Sequence, residues 1–183
     1  MPVDQALIPL ISFVYNKAKS ADLLLLTKYE NMIREINKRI RFFPTGIKFS
    51  FKDRKKFKNF IDLIILQEGK KLKTVNFVFC TDLQLRKLNK TFLNHDYFTD
   101  ILTFDLSENK KLIIADIYIS VDRINENSKI FHFSFNKELH RVMIHGLLHL
   151  CGYKDKKKIE KKQIRIKEDK YLSLYFSSRF HVK

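Results

Sequence analysis

The stretch Glu138-Leu-His-Arg-Val-Met-Ile-His145-Gly-Leu-Leu-His149-Leu-Cys-Gly152-Tyr-Lys-Asp155 decides how this chain is read. At 3.6 residues per turn, Glu138, Arg141, His145 and His149 fall along one narrow stripe, while Val142, Met143, Ile144, Leu147, Leu148 and Leu150 cover nearly everything else. A helix apolar almost all round is a buried one. Imidazoles held there need partners, because an unpaired buried polar group costs on the order of 1 to 3 kcal/mol. One divalent cation satisfies both rings. Residues four apart on a helix have Cβ atoms about 5 to 6 Å apart, compatible with two nitrogens about 2.0 to 2.1 Å from one Zn²⁺. Gly152 is placed to end the helix and turn the chain back, so that Asp155 comes into reach as a third ligand. Three protein ligands leave a fourth position for water, the mark of a catalytic site. Spacing alone would not carry this, since two histidines four apart also arise by chance; the buried-helix context does. The isolated His132, His140 and His181 read as surface or capping residues.

This is not the metalloprotease helix, which places a Glu directly after the first His as general base; here that position is Gly146. Water at such a site must be activated by the metal itself or by a carboxylate from another segment. Asp116 and Asp100 are the candidates.

Outward from that helix, the chain alternates elements. Phe57, Phe60, Ile61, Ile64 and Ile65 form one face of a helix that Gly69 should end. Thr74–Cys80 alternates as a strand, and a short helix is predicted from Asp82 to Phe92. Ile101–Leu106 and Lys111–Val121 read as neighbouring antiparallel strands about a Ser107–Lys110 turn. Ser120 or Asp122 can cap a helix to about Phe131, and Ser134 can cap the next. Leu23–Arg39 is a further candidate helix, and Lys156–Leu174 looks helical, basic and surface-facing.

At 183 residues, one folded domain with an appendage is expected: an N-terminal extension over 1–37, a core domain over 38–176 and a tail over 177–183. The formal net charge of +16 favours polyanionic partners. The charge is uneven, with 14 basic against 5 acidic residues from Lys28 to Lys73, but 5 basic against 6 acidic from Gln84 to Asp122. A positive surface therefore flanks an Asp-rich segment, suited to holding phosphates beside a cation pocket. Two cysteines and no leader pattern point to a reducing, cytoplasmic location. The longest apolar runs, Leu23–Leu26 and Leu63–Leu66, are far shorter than the roughly 20 residues that cross a bilayer, so no membrane partner is expected.

The residues His145-Gly-Leu-Leu-His149-Leu-Cys-Gly-Tyr, preceded by Leu88-Asn89, Asp96, Thr99-Asp100-Ile-Leu-Thr-Phe104 and Ala115-Asp116-Ile117, resemble the YbeY endoribonuclease, or rRNA maturation factor, family over residues 39 to 176. The Leu-Asn-His-Asp-Tyr-Phe-Thr-Asp wording looks most like members from the Bacteroidetes branch. The resemblance implies a single-domain α+β fold, with a small mixed sheet packed around a central metal-binding helix in a zincin-like arrangement. It further implies a cytoplasmic, zinc-dependent, single-strand-specific endoribonuclease acting in small-subunit (16S) rRNA maturation and ribosome quality control. Implied partners are rRNA and the small ribosomal subunit, with a small-subunit ribosomal protein and a ribosome-assembly GTPase. Carried over by motif, His145 and His149 are metal ligands.

Two departures matter. The usual third ligand of the family is a histidine, and that position here is Asp155, a harder donor that also admits Mn²⁺ or Fe²⁺. The family's arginine after the aromatic of its Leu-Asn motif is here Leu93, so a charge-stabilising role is absent unless His95 or Arg141 substitutes. Lys52, Lys55, Lys56 and Lys58 are the candidate phosphate contacts, although a charge run is more often a solvated face. The expected chemistry is metal-assisted hydrolysis of an RNA phosphodiester, with Asp116 or Asp100 orienting water. Its rivals are a non-catalytic ribosome-assembly factor that keeps the metal for structure, and a metallohydrolase of peptides or small molecules.

Overall fold

Alternating apolar and polar side chains, with β-branched and aromatic residues dominating, generate four strands. In the computed structural model, which describes Asn31, Ile36 and residues 38–177, β1 spans Ile40–Pro44, β2 Lys71–Cys80, β3 Ile101–Asp105 and β4 Leu112–Ser120. The sheet order is β1-β2-β4-β3. β1, β2 and β4 run parallel, and β3 pairs antiparallel with β4 through the predicted hairpin. From residue 40 onward, five helices are described in this α+β domain: α1 Arg54–Gln67, α2 Asp82–Leu93, α3 Val121–Ile130, α4 Phe135–Leu150 and α5 Lys158–Phe176. β2 starts three residues before the predicted strand because Lys71 and Lys73 alternate with buried Leu72 and keep the pleat's phase.

The ends of the helices follow local chemistry. Ser120, rather than Asp122, caps α3 by accepting from the Arg123 N–H at 3.1 Å, and Ser134 caps α4 by accepting from the Lys137 N–H at 3.2 Å. Thr81 and Gln84 form a capping box at the start of α2. α1 has no side-chain cap; Phe57, Phe60, Ile61, Leu63, Ile64 and Ile65 hold it by burial, each worth about 1.5 to 3 kcal/mol. Past its end, Gly69 adopts φ +71°, where a side chain would be strained.

The sheet has two unlike faces. Ile40, Phe42, Val75, Phe77, Phe79, Ile113, Ala115, Ile117 and Ile119 point inward and form one core with α1, α4 and α5. Their neighbours in sequence point outward, where Cys80, Leu102, Phe104 and Tyr118 pack with Leu85 and Leu88 of α2. α4 lies centrally, packed on β3 and β4 and touching α1, α3 and α5.

Two expectations need comment. The candidate helix Leu23–Arg39 lies mostly outside the described residues, although Asn31, Ile36, Lys38 and Arg39 are helical; the extension 1–37 and the tail beyond Ser177 likewise lie outside them. The expectation of a surface-facing C-terminal helix is corrected: Ile164, Glu168, Tyr171, Leu172 and Tyr175 of α5 are buried, a stripe at helical spacing that seats one face of the helix on the core.

Candidate metal centre and cleft

α4 is as apolar as its sequence required, with residues from Leu139 through Leu150 almost all buried. Gly146 faces the sheet: a Cβ there would lie 2.7 Å from Ile101 Cδ1, 3.1 Å from Thr103 Oγ1 and 3.3 Å from Ile117 Cγ2. The absence of a side chain lets the helix approach β3 and β4, which sets His145 and His149 beside the start of β3. After Leu150 the chain reverses through Gly152 at φ +103°, with the Tyr153 N–H donating to the Leu148 carbonyl at 3.0 Å. That reversal returns Asp155 to the histidines.

His145, His149 and Asp155 offer ligand atoms all within 4.8 Å of one another. The two Nε2 atoms are 2.9 Å apart, and Asp155 Oδ2 lies 3.8 Å from one and 3.9 Å from the other. Tetrahedral donors at about 2.0 to 2.1 Å from Zn²⁺ would be separated by about 3.3 Å, and the three observed spacings bracket that value. The far side of each ring is committed. His145 Nδ1 lies 2.8 Å from Glu168 Oε1, and His149 Nδ1 lies 2.9 Å from the Tyr153 carbonyl. Both partners are acceptors, so each neutral ring carries its proton on Nδ1, and two Nε2 lone pairs face each other. A cation turns that repulsion into ligation, and the donor set fits a divalent metal.

The electrostatics divide the pair. Burial disfavours a charge on His145, but the Glu168 hydrogen bond and the charges of Glu168, Asp100 and Asp155 outweigh it and raise its pKa. Burial, and then the neighbouring His145, lower the pKa of His149. Beside them opens a cleft of about 350 Å³, lined by Thr99, Asp100, Ile101, Leu102, Thr103, Asp105, His145, His149, Leu150 and Asp155. Asp100 accepts from Asn127 Nδ2 at 3.3 Å, and its main-chain carbonyl accepts from the Ser120 N–H at 3.0 Å. Burial raises its pKa, against the lowering charge of His145, which suits a carboxylate that takes up a proton.

Several expected site residues are not brought here. Asp116 is a correction: it stands between Ala115 and Ile117, both in the core, so the pleat turns it to the outer face, where Asn76 Nδ2 donates to it at 2.8 Å. Arg141 is another. It is 6% exposed and directed at buried Glu168 (3.2 Å) and exposed Asp169 (2.9 Å), so its guanidinium serves carboxylates of α5 rather than a phosphate. None of Lys52, Lys55, Lys56 and Lys58 lines the cleft. Lys56 lies over the Tyr175 ring and Lys58 over Phe42, where the long stems cover aromatic surface, whereas Lys52 and Lys55 are exposed. His95 is exposed and stacked on Tyr97 in the loop that leads to Thr99 and Asp100. Cys80 and Cys151 are free thiols, each with its pKa pushed up to about 12 by burial, and so inert.

Glu168 escaped sequence reasoning. A signal existed: it occupies the apolar stripe of α5, four residues after Ile164 and three before Tyr171, where a lone carboxylate must find a partner.

A profile of the family described as Endoribonuclease YbeY matches residues 42–175. An Endoribonuclease YbeY of Cytophaga hutchinsonii is 44% identical over 135 residues, covering 74% of this chain and 94% of that protein. One from Karelsulcia muelleri is 48% identical over 116 residues, covering 63% and 82%. A solution structure of a Thermotoga maritima protein is similar with a TM-score of 0.53 at 31% identity, covering 75% of this chain and 89% of that one.

Proposed function

The chain belongs to the YbeY endoribonuclease family, and from that premise we propose that it is a metal-dependent, single-strand-specific endoribonuclease of 16S rRNA maturation and ribosome quality control. The observation that carries this reading is the convergence of His145 Nε2, His149 Nε2 and Asp155 Oδ2 beside a cleft that also contains the half-buried carboxylate of Asp100. When bound, a divalent ion, Zn²⁺ first and Mn²⁺ or Fe²⁺ as alternatives for an Asp-containing donor set, supplies Lewis acidity toward a phosphoryl oxygen and lowers the pKa of water toward about 7.

The remaining roles belong to the chain's own residues. His145, His149 and Asp155 hold the ion from one side. Asp100 Oδ accepts the proton of the attacking water as the water oxygen bonds to phosphorus and the ester P–O bond breaks. Asn127 and the main-chain amides of Asp100 and Ile101 keep that carboxylate aimed into the cleft. A cleft open to solvent admits an extended strand more readily than a duplex. Exposed Lys52 and Lys55 add long-range attraction rather than contact, and His95 stands on the approach to the cleft. The domain from 38 to 176 carries this activity, and rRNA within small-subunit particles, with a ribosomal protein and an assembly GTPase nearby, is its proposed setting. Among the described residues no helix is long and apolar enough to cross a membrane.

The test is the double variant His145→Ala/His149→Ala. Bound metal, read by elemental analysis, should disappear, and cleavage of single-stranded RNA should fall at least about a thousandfold, while the circular dichroism spectrum is retained. Undiminished cleavage by the folded variant overturns the reading. RNA affinity should also fall steeply between low and physiological salt, because phosphate contacts release counterions.

A further inference from the structure

The two imidazoles are oriented by different kinds of partner. His149 is held by a main-chain carbonyl, that of Tyr153, which the helix-terminating turn places regardless of side chain. His145 is held by Glu168, a side chain 23 residues further on and on a different helix. Resting on the metal-site reading above, we infer that Glu168 is the positioning residue of this centre, holding His145 with Nδ1 protonated and Nε2 toward the cation.

The division of its two oxygens supports this. Oε1 meets His145 at 2.8 Å, while Oε2 meets Arg141 at 3.2 Å and Arg165 at 3.4 Å. The carboxylate is 3% exposed, and the guanidiniums on Oε2 leave Oε1 directed at the ring. A carboxylate can only accept, so the ring must donate from Nδ1. Such an outer partner fixes ring orientation and raises the basicity of the ligating nitrogen.

α5 is itself pinned on either side of Glu168. Lys167 Nζ donates to Glu68 at 2.8 Å, and the Tyr171 hydroxyl donates to the same carboxylate. The Tyr153 hydroxyl donates to Glu68 as well, at 2.8 Å. One acidic side chain just past α1 therefore anchors both the helix that orients His145 and the residue whose carbonyl orients His149. The region is overdetermined mechanically, as a preorganised ligand site requires.

The experiment uses the full chain, with Glu168→Ala, Glu168→Gln and the control Asp169→Asn. Asp169 pairs with Arg141 as Glu168 does but does not meet His145, so it reports the purely structural share of the network. Zinc affinity is read by chelator competition, and the protonated nitrogen of His145 by long-range ¹H–¹⁵N correlation in metal-free protein. Glu168→Ala should weaken zinc by about 10- to 100-fold and shift His145 toward Nε2 protonation, whereas Asp169→Asn should stay within about twofold. Glu168→Gln keeps an acceptor oxygen without its charge and should lie between, at least about threefold weaker than wild type. Unchanged affinity and tautomer in Glu168→Ala overturn the inference, as does an equal loss in Asp169→Asn. Should Glu168→Ala fail to fold, wild-type affinity in Glu168→Gln overturns it instead. Failure of the wild type to bind zinc would sink the metal reading, and His145 remaining protonated on Nδ1 without the Glu168 carboxylate would still decide this inference separately.

Discussion

Asp100 and Asp116 are both acidic residues on the hairpin of β3 and β4, yet one enters the cleft and the other sits on the opposite side of the sheet. Asp100 precedes β3 on the side that packs against α4, half-buried beside His145. Asp116 lies in the middle of β4, between two core residues, and bonds Asn76 on the face that α2 only partly covers. The inner face is closed by three helices and raises the pKa of a carboxyl group held there, whereas Asp116 on the outer face accepts a hydrogen bond from Asn76. Chemistry follows burial and direction rather than residue type.

The sharpest way to break this comparison is to neutralise each acid in turn. Asp100→Asn should reduce RNA cleavage by about 10² to 10⁴-fold, the usual worth of a general base, with metal content retained. Asp116→Asn should leave cleavage within about twofold. Equal losses would show that the faces communicate in a way the pleat does not provide.

Acid should act on the inner side next. His140, expected at the surface or in a cap, is instead fully buried among Phe51, Phe57 and Tyr175, donates from Nδ1 to the Asn136 carbonyl, and has its pKa lowered by burial from 6.5 to about 4. A histidine that the fold keeps neutral contributes its full stability above the unfolded value. That contribution is lost as pH falls from about 6.5 toward 4, because the unfolded chain then binds the extra proton. The lost stability amounts to about 3 kcal/mol. Urea unfolding across that range should show the slope, and His140→Phe should flatten it.

Gly146→Val would place a branched side chain where α4 meets Ile101, Thr103 and Ile117, and should destabilise by about 1 to 3 kcal/mol in thermal unfolding. The smallest pair compares caps on the two sides. Ser134→Ala, under the metal helix, and Thr81→Ala, under the outer helix α2, should each cost about 1 kcal/mol, but only the first should also weaken zinc binding.

Much of this is legible in the amino-acid sequence. The apolar run around His145 and His149 announced a buried helix, Gly152 its end, Ser120 and Ser134 the starts of α3 and α4, and the β3–β4 hairpin its pairing. Even the exclusion of Asp116 was present in Leu112-Ile-Ile-Ala-Asp-Ile-Tyr-Ile-Ser120, where Asp116 is out of phase with Ala115 and Ile117. Arg141 misled because a stripe position says that a residue points with the histidines, and does not say that Glu168 and Asp169 wait there.

By itself the amino-acid sequence determined the periodic elements, the pairing of His145 with His149 on one helical face and the return of Asp155 to them, because each depends on backbone geometry over fewer than about a dozen residues. Tertiary structure alone decided that Asp100 lines the cleft beside His145, that the Glu168 carboxylate meets the His145 ring and that Glu68 ties α5 to Tyr153. Those choices depend on which buried polar groups from distant segments are packed within hydrogen-bond reach, and local periodicity carries no record of that.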